Sequence, residues 1–156
     1  MPARVVAVCV STHKGERKTP VACVELKENH GIIGDAHAGE WRRQVSLLAQ
    51  ESIEKMQRMG LAVAAGDFAE NITTQGLELF SLPVGTRLAV GPTLLEVSQI
   101  GKECHIRCAI YRQAGDCVMP TEGIFARVVQ GGMVQAGAVI RIVGPSPLQP
   151  AQHTEI

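Results

Sequence analysis

Short apolar runs, separated by glycine, proline and polar residues, make up most of this chain. Sixteen glycines and eight prolines interrupt the sequence, a pattern typical of many short strands joined by turns. The apolar runs predict strands at residues 5–10, 21–26, 32–33, 44–48, 77–82, 86–90, 94–100 and 138–143. The pattern therefore predicts a mostly β fold, with a closed or barrel-like mixed sheet and two or three short helices.

The clearest helical pattern covers residues 50–59. Ile53, Met56 and Met59 recur at helical spacing and predict a face that packs on the core, and Gly60 supplies a stop. A methionine stripe of this kind is more typical of a core face than of a cofactor contact.

A second short helix is predicted over residues 122–129. Thr121 would be its N-cap, and Gly131 and Gly132 would end it. The length fits one domain, over residues 1–144. Residues 145–156 contain three prolines and little apolar content, which predicts a disordered tail.

Charge and cysteine content narrow the function classes. Fifteen basic residues balance fifteen acidic ones, and only five residues are aromatic, which argues against nucleic acid as a partner.

No run approaches the roughly 18 apolar residues of a membrane helix, and residues 1–10 have the pattern of a strand and not of a signal peptide. Five cysteines without framework spacing predict reduced thiols in a cytoplasm. Cys9 and Cys23 lie in strand-like runs and are predicted to be core.

Cys104 is the residue for which the sequence most clearly predicts chemical reactivity. It follows a strand-like run, and Lys102, His105 and Arg107 lie within three residues of it. A thiol is a nucleophile or metal ligand only as the thiolate, which neighbouring cations favour. Cys104 is therefore the predicted reactive residue.

Other roles for this cysteine-rich segment stay open. Cys104, His105, Cys108 and Cys117 fit the spacing of a zinc site only loosely. A c-type haem motif does not fit, because the histidine follows the first cysteine and not the second. A dithiol switch between Cys104 and Cys108, or with Cys117, is a further alternative, and it depends on a disulfide geometry that the sequence does not supply.

Three polar loops carry further candidates. Residues 34–39 contain Asp35 and His37, and Arg42 and Arg43 follow shortly. Without further information, Asp35 and His37 are predicted to hydrogen-bond the backbone amides of the turn. The second loop holds the pair Glu70 and Asn71, which could orient a ligand or simply begin a strand. The third holds Lys14, Arg17 and Lys18, which could bind a small anion or be solvated surface charge.

Taken in order, these motifs resemble the MOSC domain, the C-terminal domain of molybdenum-cofactor sulfurases. The likeness extends from about residue 4 to residue 143 and is strongest to small stand-alone bacterial members. It is carried by Gly34-Asp35-x-His37-x-Gly39, Gln44-Val45-Ser46-Leu47-Leu48, Gly66-Asp67-Phe68-x-Glu70-Asn71-Ile72, Leu82-Pro83-Val84-Gly85-Thr86-Arg87-Leu88, and Gln99 followed by Cys104.

The resemblance implies a β-rich domain that binds molybdenum cofactor (molybdopterin), with Cys104 carrying sulfur as a persulfide or ligating molybdenum. It implies a possible sulfurase-type transferase, with a cysteine desulfurase or a molybdoenzyme as partner. Pyridoxal phosphate is not expected, because the chain lacks the aminotransferase-like half of full sulfurases. The alternatives are a cofactor carrier or chaperone with no covalent step, and a molybdenum-dependent oxidoreductase similar to amidoxime-reducing relatives.

The resemblance also implies roles for the other candidates. The pterin phosphate would be held by Lys14, Lys18, and Arg42 or Arg43. The pterin edge, or the loops around it, would be held by Asp35, His37, Glu70 and Asn71. The Cys104 thiolate would be favoured by Lys102, His105 and Arg107. Many relatives have histidine where this chain has Arg42, which removes an acid–base group and adds a cation.

Overall fold

A closed β-barrel is the central feature of the structure, a computed structural model that describes residues 2–14, 16–101 and 122–145. The strands, in chain order, are β1 (Ala3–Val10), β2 (Thr19–Val21), β3 (Cys23–Lys27), β4 (Gly31–Ile32), β5 (Val45–Ala49), β6 (Ile72–Gln75), β7 (Thr86–Val90), β8 (Thr93–Ile100), β9 (Ile124–Gln130), β10 (Gly132–Gln135) and β11 (Val139–Pro145). Helix α1 (Gln50–Arg58) follows β5, and a 3-10 turn (Leu79–Ser81) precedes β7.

The barrel closes because β1 pairs with strands on both sides. Its start pairs with β11, with Ala3 opposite Ile140, and its middle pairs with β6. Around the barrel the order is β1, β11, β7, β8, β9, β5 and β6, and the pair β5–β6 is parallel. Strand β2 pairs antiparallel with the last three residues of β1. A second, three-stranded sheet is formed by β10, β3 and β4. The predicted mostly β, barrel-like mixed sheet is therefore confirmed.

Large aliphatic side chains fill the barrel. Leu47, Ile72, Leu88, Leu95 and Ile124 are each fully buried, and burying one such side chain contributes about 1.5–3 kcal/mol. A smaller cluster joins α1 to the outside of the barrel through Leu48, Ile53, Met56, Leu61, Val63, Phe68 and Phe125. The helix thus braces β5 and β9 from outside.

Helix α1 confirms the prediction for residues 50–59, apart from one face residue. Ile53 and Met56 are buried, whereas Met59 is 55% exposed because the helix has ended at Arg58. Gly60 follows in a left-handed conformation, as expected of a C-terminal stop. No helix among the described residues has the length and apolar character needed to cross a membrane.

Three other expectations were wrong. Residues 122–129 do not form a helix: β9 runs over Ile124–Gln130 and pairs with β5 and β8, so tertiary pairing overrides the local cap-like signals. The run at residues 77–82 contains the 3-10 turn and no strand. Cys9 is buried as predicted, but Cys23 is exposed on β3, where alternate residues face outward.

Candidate functional site

A buried ion pair between Lys18 and Asp35 anchors the candidate site. Lys18 Nζ lies 2.8 Å from Asp35 Oδ1, and both side chains are fully buried. Lys18 also donates to Ser11 Oγ at 2.9 Å and lies 3.0 Å from His37 Nδ1. These three partners account for the three N–H groups of an ammonium. Lys18 thereby ties the loop after β1 to the loop after β4.

The carboxylate of Asp35 completes the joint between these loops. Asp35 Oδ1 accepts the Ser11 backbone N–H at 3.0 Å, and Oδ2 accepts the His37 N–H at 3.0 Å. Burial by itself would raise the pKa of Asp35. The hydrogen bonds from Lys18, His37 and Ser11 and the charge of Lys18 outweigh burial, so the pKa lies below its ordinary value. Asp35 is therefore the anion of a buried pair.

His37 has a defined role in this cluster. Because a lysine ammonium can only donate, His37 Nδ1 is the acceptor in its contact with Lys18. The Trp41 indole lies parallel to the imidazole, with an interplanar angle of 3° and ring centroids 6.4 Å apart. Trp41 Nε1 donates to the His37 carbonyl at 2.8 Å, and Lys14 Nζ lies 4.6 Å from the centre of the indole.

Two arginines converge on Gln99, near the end of β8. Arg42 Nε and Arg43 Nε donate to the same Gln99 Oε1, at 2.8 and 3.2 Å. Gln99 Nε2 in turn donates to the Gly101 carbonyl at 2.8 Å. Ser98 adds a hydrogen bond from its hydroxyl to the Arg42 carbonyl. The loop that follows His37 is therefore fastened to the strand that leads towards Cys104.

Glu70 is fully buried and holds its own loop together. Its carboxylate accepts hydrogen bonds from Gly66 N–H at 2.9 Å, Phe68 N–H at 3.3 Å and Thr73 Oγ1 at 2.7 Å. Burial is the main cause that raises the pKa of Glu70, against the lowering effect of these donors. With all its partners inside the protein, Glu70 supports the loop before β6.

Asn71 is also fully buried and joins three segments. Its Oδ1 accepts the Ser46 backbone N–H at 2.9 Å, and its Nδ2 donates to the Cys9 carbonyl at 3.1 Å. The amide therefore links β1 and β5 at the start of β6. Of the two roles that the resemblance implied for Glu70 and Asn71, these contacts favour holding loops.

The structure brings most of the described candidates into two clusters. One contains Lys14, Lys18, Asp35 and His37, and the other joins Arg42 and Arg43 through Gln99. Lys18 is buried and paired, which suits a loop anchor better than a phosphate ligand. The predicted residues Lys102, Cys104, His105 and Arg107, like Cys108 and Cys117 and the tail after residue 145, lie outside the described residues.

Sequence reasoning missed two members of the clusters, Ser11 and Trp41. Ser11 is the first residue after β1, where a serine hydroxyl can bond to nearby backbone groups. Trp41 carried a clearer signal, since the sole tryptophan of the chain stands beside two arginines.

Acid should weaken the fold in part through Asp35. Its pKa is lowered in the folded protein relative to about 3.9 in an unfolded chain. The stabilisation that the ionised Asp35 contributes is therefore present above about pH 4. It is lost as the pH falls through the pKa of Asp35 in the folded protein. The free energy of unfolding, measured by urea denaturation from pH 6 down to pH 2, should fall more steeply for the wild type than for Asp35→Asn. Asp67→Asn, which leaves the buried pair intact, should keep the wild-type slope; equal slopes for all three proteins would contradict this assignment.

The fold and these contacts define a class: a small closed β-barrel with a charged loop cluster fastened by a buried lysine–aspartate pair. Residues 34–141 match the family model of the MOSC domain. The chain belongs to the MOSC domain family, which is generally related to the molybdenum cofactor. The resemblance seen in the sequence motifs is thus confirmed.

Solved structures share the same fold. The YuaD protein from Bacillus subtilis is 20% identical with a TM-score of 0.74, over 90% of this chain and 94% of that one. YiiM from Geobacillus stearothermophilus is 25% identical with a TM-score of 0.69, over 91% and 75% of the two chains. YiiM from Escherichia coli is 20% identical with a TM-score of 0.64, over 92% and 70%. None of the curated proteins matches the chain.

Proposed function

We propose that this protein binds a molybdopterin-type cofactor and carries or transfers sulfur through Cys104 during the maturation of molybdoenzymes. The observation that carries the proposal is the convergence of Arg42 and Arg43 on Gln99. Gln99 precedes Cys104 by five residues, so the contact joins two guanidinium groups to the start of the segment that bears the thiol.

The described residues have the donor chemistry that a phosphorylated cofactor needs. Lys14 and Arg42 are exposed cations, and a guanidinium suits phosphate because it can donate two parallel hydrogen bonds. Arg42 and Arg43 each use Nε for Gln99. Their terminal NH2 groups are the ones that would bind the phosphate oxygens.

The roles of the other residues follow from their contacts. Lys14, Arg42 and Arg43 hold the phosphate, while His37 contacts the pterin edge or holds the loop beside it. Positioning of the loops comes from Lys18, Asp35, Glu70 and Asn71. Stabilisation of the thiolate comes from Lys102, His105 and Arg107. A bound cofactor would supply molybdenum, for which a soft thiolate is a suitable ligand.

The sulfur step on Cys104 balances without an added oxidant. The thiolate attacks the outer sulfur of a persulfide on a donor protein, of the kind that a cysteine desulfurase forms. A sulfur–sulfur bond to Cys104 forms while the sulfur–sulfur bond of the donor breaks, and the donor leaves as a thiolate. The cations near Cys104 in the sequence favour the attacking thiolate at neutral pH.

The first test is mass spectrometry with metal and pterin analysis on protein purified from cells that make molybdenum cofactor. The expected result is an added mass of about 32 Da on Cys104, one sulfur atom, as for a persulfide. The adduct should disappear in Cys104→Ala. It should persist in Cys23→Ala, which removes the exposed thiol of β3.

Other outcomes separate the remaining functions. Molybdenum and pterin bound without an adduct, and lost in Cys104→Ala, would make Cys104 a ligand and overturn sulfur carriage. Cofactor retained by Cys104→Ala, again without an adduct, would make the protein a carrier with no covalent step. Neither cofactor nor adduct in the wild type would overturn the whole proposal.

A further inference from the structure

Trp41 is a large aromatic side chain on a charged loop, and the proposed function assigns it no role in ligand binding. It is the single tryptophan of the chain, and it is 36% exposed. The next two residues are Arg42 and Arg43. An apolar ring left partly open among cations is a surface that a ligand ring could cover.

The orientation of the indole is fixed before any ligand arrives. Its Nε1–H donates to the His37 carbonyl at 2.8 Å, which satisfies the one polar atom of the ring. The ring also lies parallel to the His37 imidazole, and His37 is itself held by Lys18 and Asp35. Trp41 is therefore anchored to the most buried part of the site.

A cation already lies over the indole. Lys14 Nζ is 4.6 Å from the ring centre, and Lys14 is an exposed residue at the start of a polar loop. An exposed cation–π contact is weak, so a planar ring can replace the ammonium at little cost. The displaced ammonium then lies close to any negative group that the ligand carries.

We propose that Trp41 stacks on the planar heteroaromatic ring of a phosphorylated ligand, while Lys14 and Arg42 pair with its phosphate. The inference rests on the proposed function where the ring is a pterin. A purine nucleotide shares the same chemistry, and the test distinguishes these two sources. The ring face of Trp41 recognises flat ligands, and the cations select those that are anionic.

The sole tryptophan makes intrinsic fluorescence a specific probe of this contact. The wild-type protein is titrated with molybdopterin cofactor released anaerobically from a molybdoenzyme, with GMP, and with inorganic phosphate. The expected result is saturable quenching by the cofactor and none by phosphate. Equal quenching by GMP and by the cofactor would show that the site accepts either ring, which would overturn selection of the pterin.

Two variants separate stacking from a structural role of the indole. Trp41→Phe keeps a ring face but loses the Nε1–H, whereas Trp41→Leu loses both. Equilibrium dialysis with the cofactor should show affinity weakened roughly 10- to 100-fold in Trp41→Leu, the range for aromatic stacking on a base, and by no more than about threefold in Trp41→Phe. Thermal unfolding midpoints confirm that both variants fold.

Several results would overturn the inference. Equal weakening in both variants would assign the effect to the hydrogen bond and not to the ring face. Wild-type affinity in Trp41→Leu, or cofactor binding without quenching, would exclude Trp41 from the site while leaving the proposed function standing. Quenching of the wild type by GMP alone, with GMP binding weakened in Trp41→Leu by equilibrium dialysis, would keep the stacking site and overturn the cofactor function.

Discussion

Replacing Lys18 with methionine should lower the free energy of unfolding by about 3–5 kcal/mol, the usual effect of removing one partner of a buried pair. The substitution leaves the Asp35 carboxylate fully buried without its counter-ion. It also removes donors to Ser11 Oγ and His37 Nδ1. Equilibrium denaturation in urea, monitored by circular dichroism, measures the loss.

Two companions test the cause of this loss. Lys18→Met combined with Asp35→Asn should recover roughly half or more of it, because a neutral pair leaves no buried charge uncompensated. Arg17→Met removes the exposed partner of Asp67, at 3.7 Å, and should change stability by less than about 1 kcal/mol. A double variant as unstable as the single one would refute the charge argument.

Gly66→Ala should destabilise the protein by about 3 kcal/mol or more, since a left-handed backbone penalty adds to a steric overlap. Gly66 has φ +90°, and a Cβ there would lie 2.1 Å from the Lys18 carbonyl oxygen. The close approach has a purpose: the Gly66 carbonyl accepts the Lys18 N–H at 2.8 Å. An added methyl group would therefore separate the two loops that meet beneath the site.

Gly60→Ala is the matched control for this substitution. Gly60 has φ +95°, nearly the same conformation, but no heavy atom lies within 4 Å of its Cβ position. Gly60→Ala should lower the free energy of unfolding by about 1–2 kcal/mol, which is the conformational penalty alone. Urea denaturation of the two variants side by side isolates the overlap, and equal losses would show that the contact with Lys18 has no energetic weight.

Local patterning predicted the barrel wherever burial alternates along a strand. In β8, Leu95 and Val97 face inward and Glu96 does not, which is the period that the sequence shows. Strand β9 escaped prediction because its start follows a threonine and a glutamate, which imitate a helix cap. What decides its conformation is pairing with β5 and β8, and no local window contains those partners.

The candidate site was predictable only where its residues are close in sequence. Asp35 and His37 stand two residues apart and share a turn hydrogen bond. The burial of Lys18 was not predictable, because a lysine in a polar loop is normally exposed and its partner lies 17 residues away. The contact between Arg42 and Gln99 joins positions 57 residues apart, and only the closed sheet brings them together.

Closure of the barrel through β1 and β11 has a consequence for biosynthesis. The start of β1, at Ala3 and Arg4, pairs with β11 only after Val139 and Ile140 have been made. Until then one edge of β1 has unpaired backbone groups, which can pair with other chains. Contacts over such long separations also make folding slow. The nascent chain is therefore exposed to wrong pairing with other chains until β11 closes the barrel.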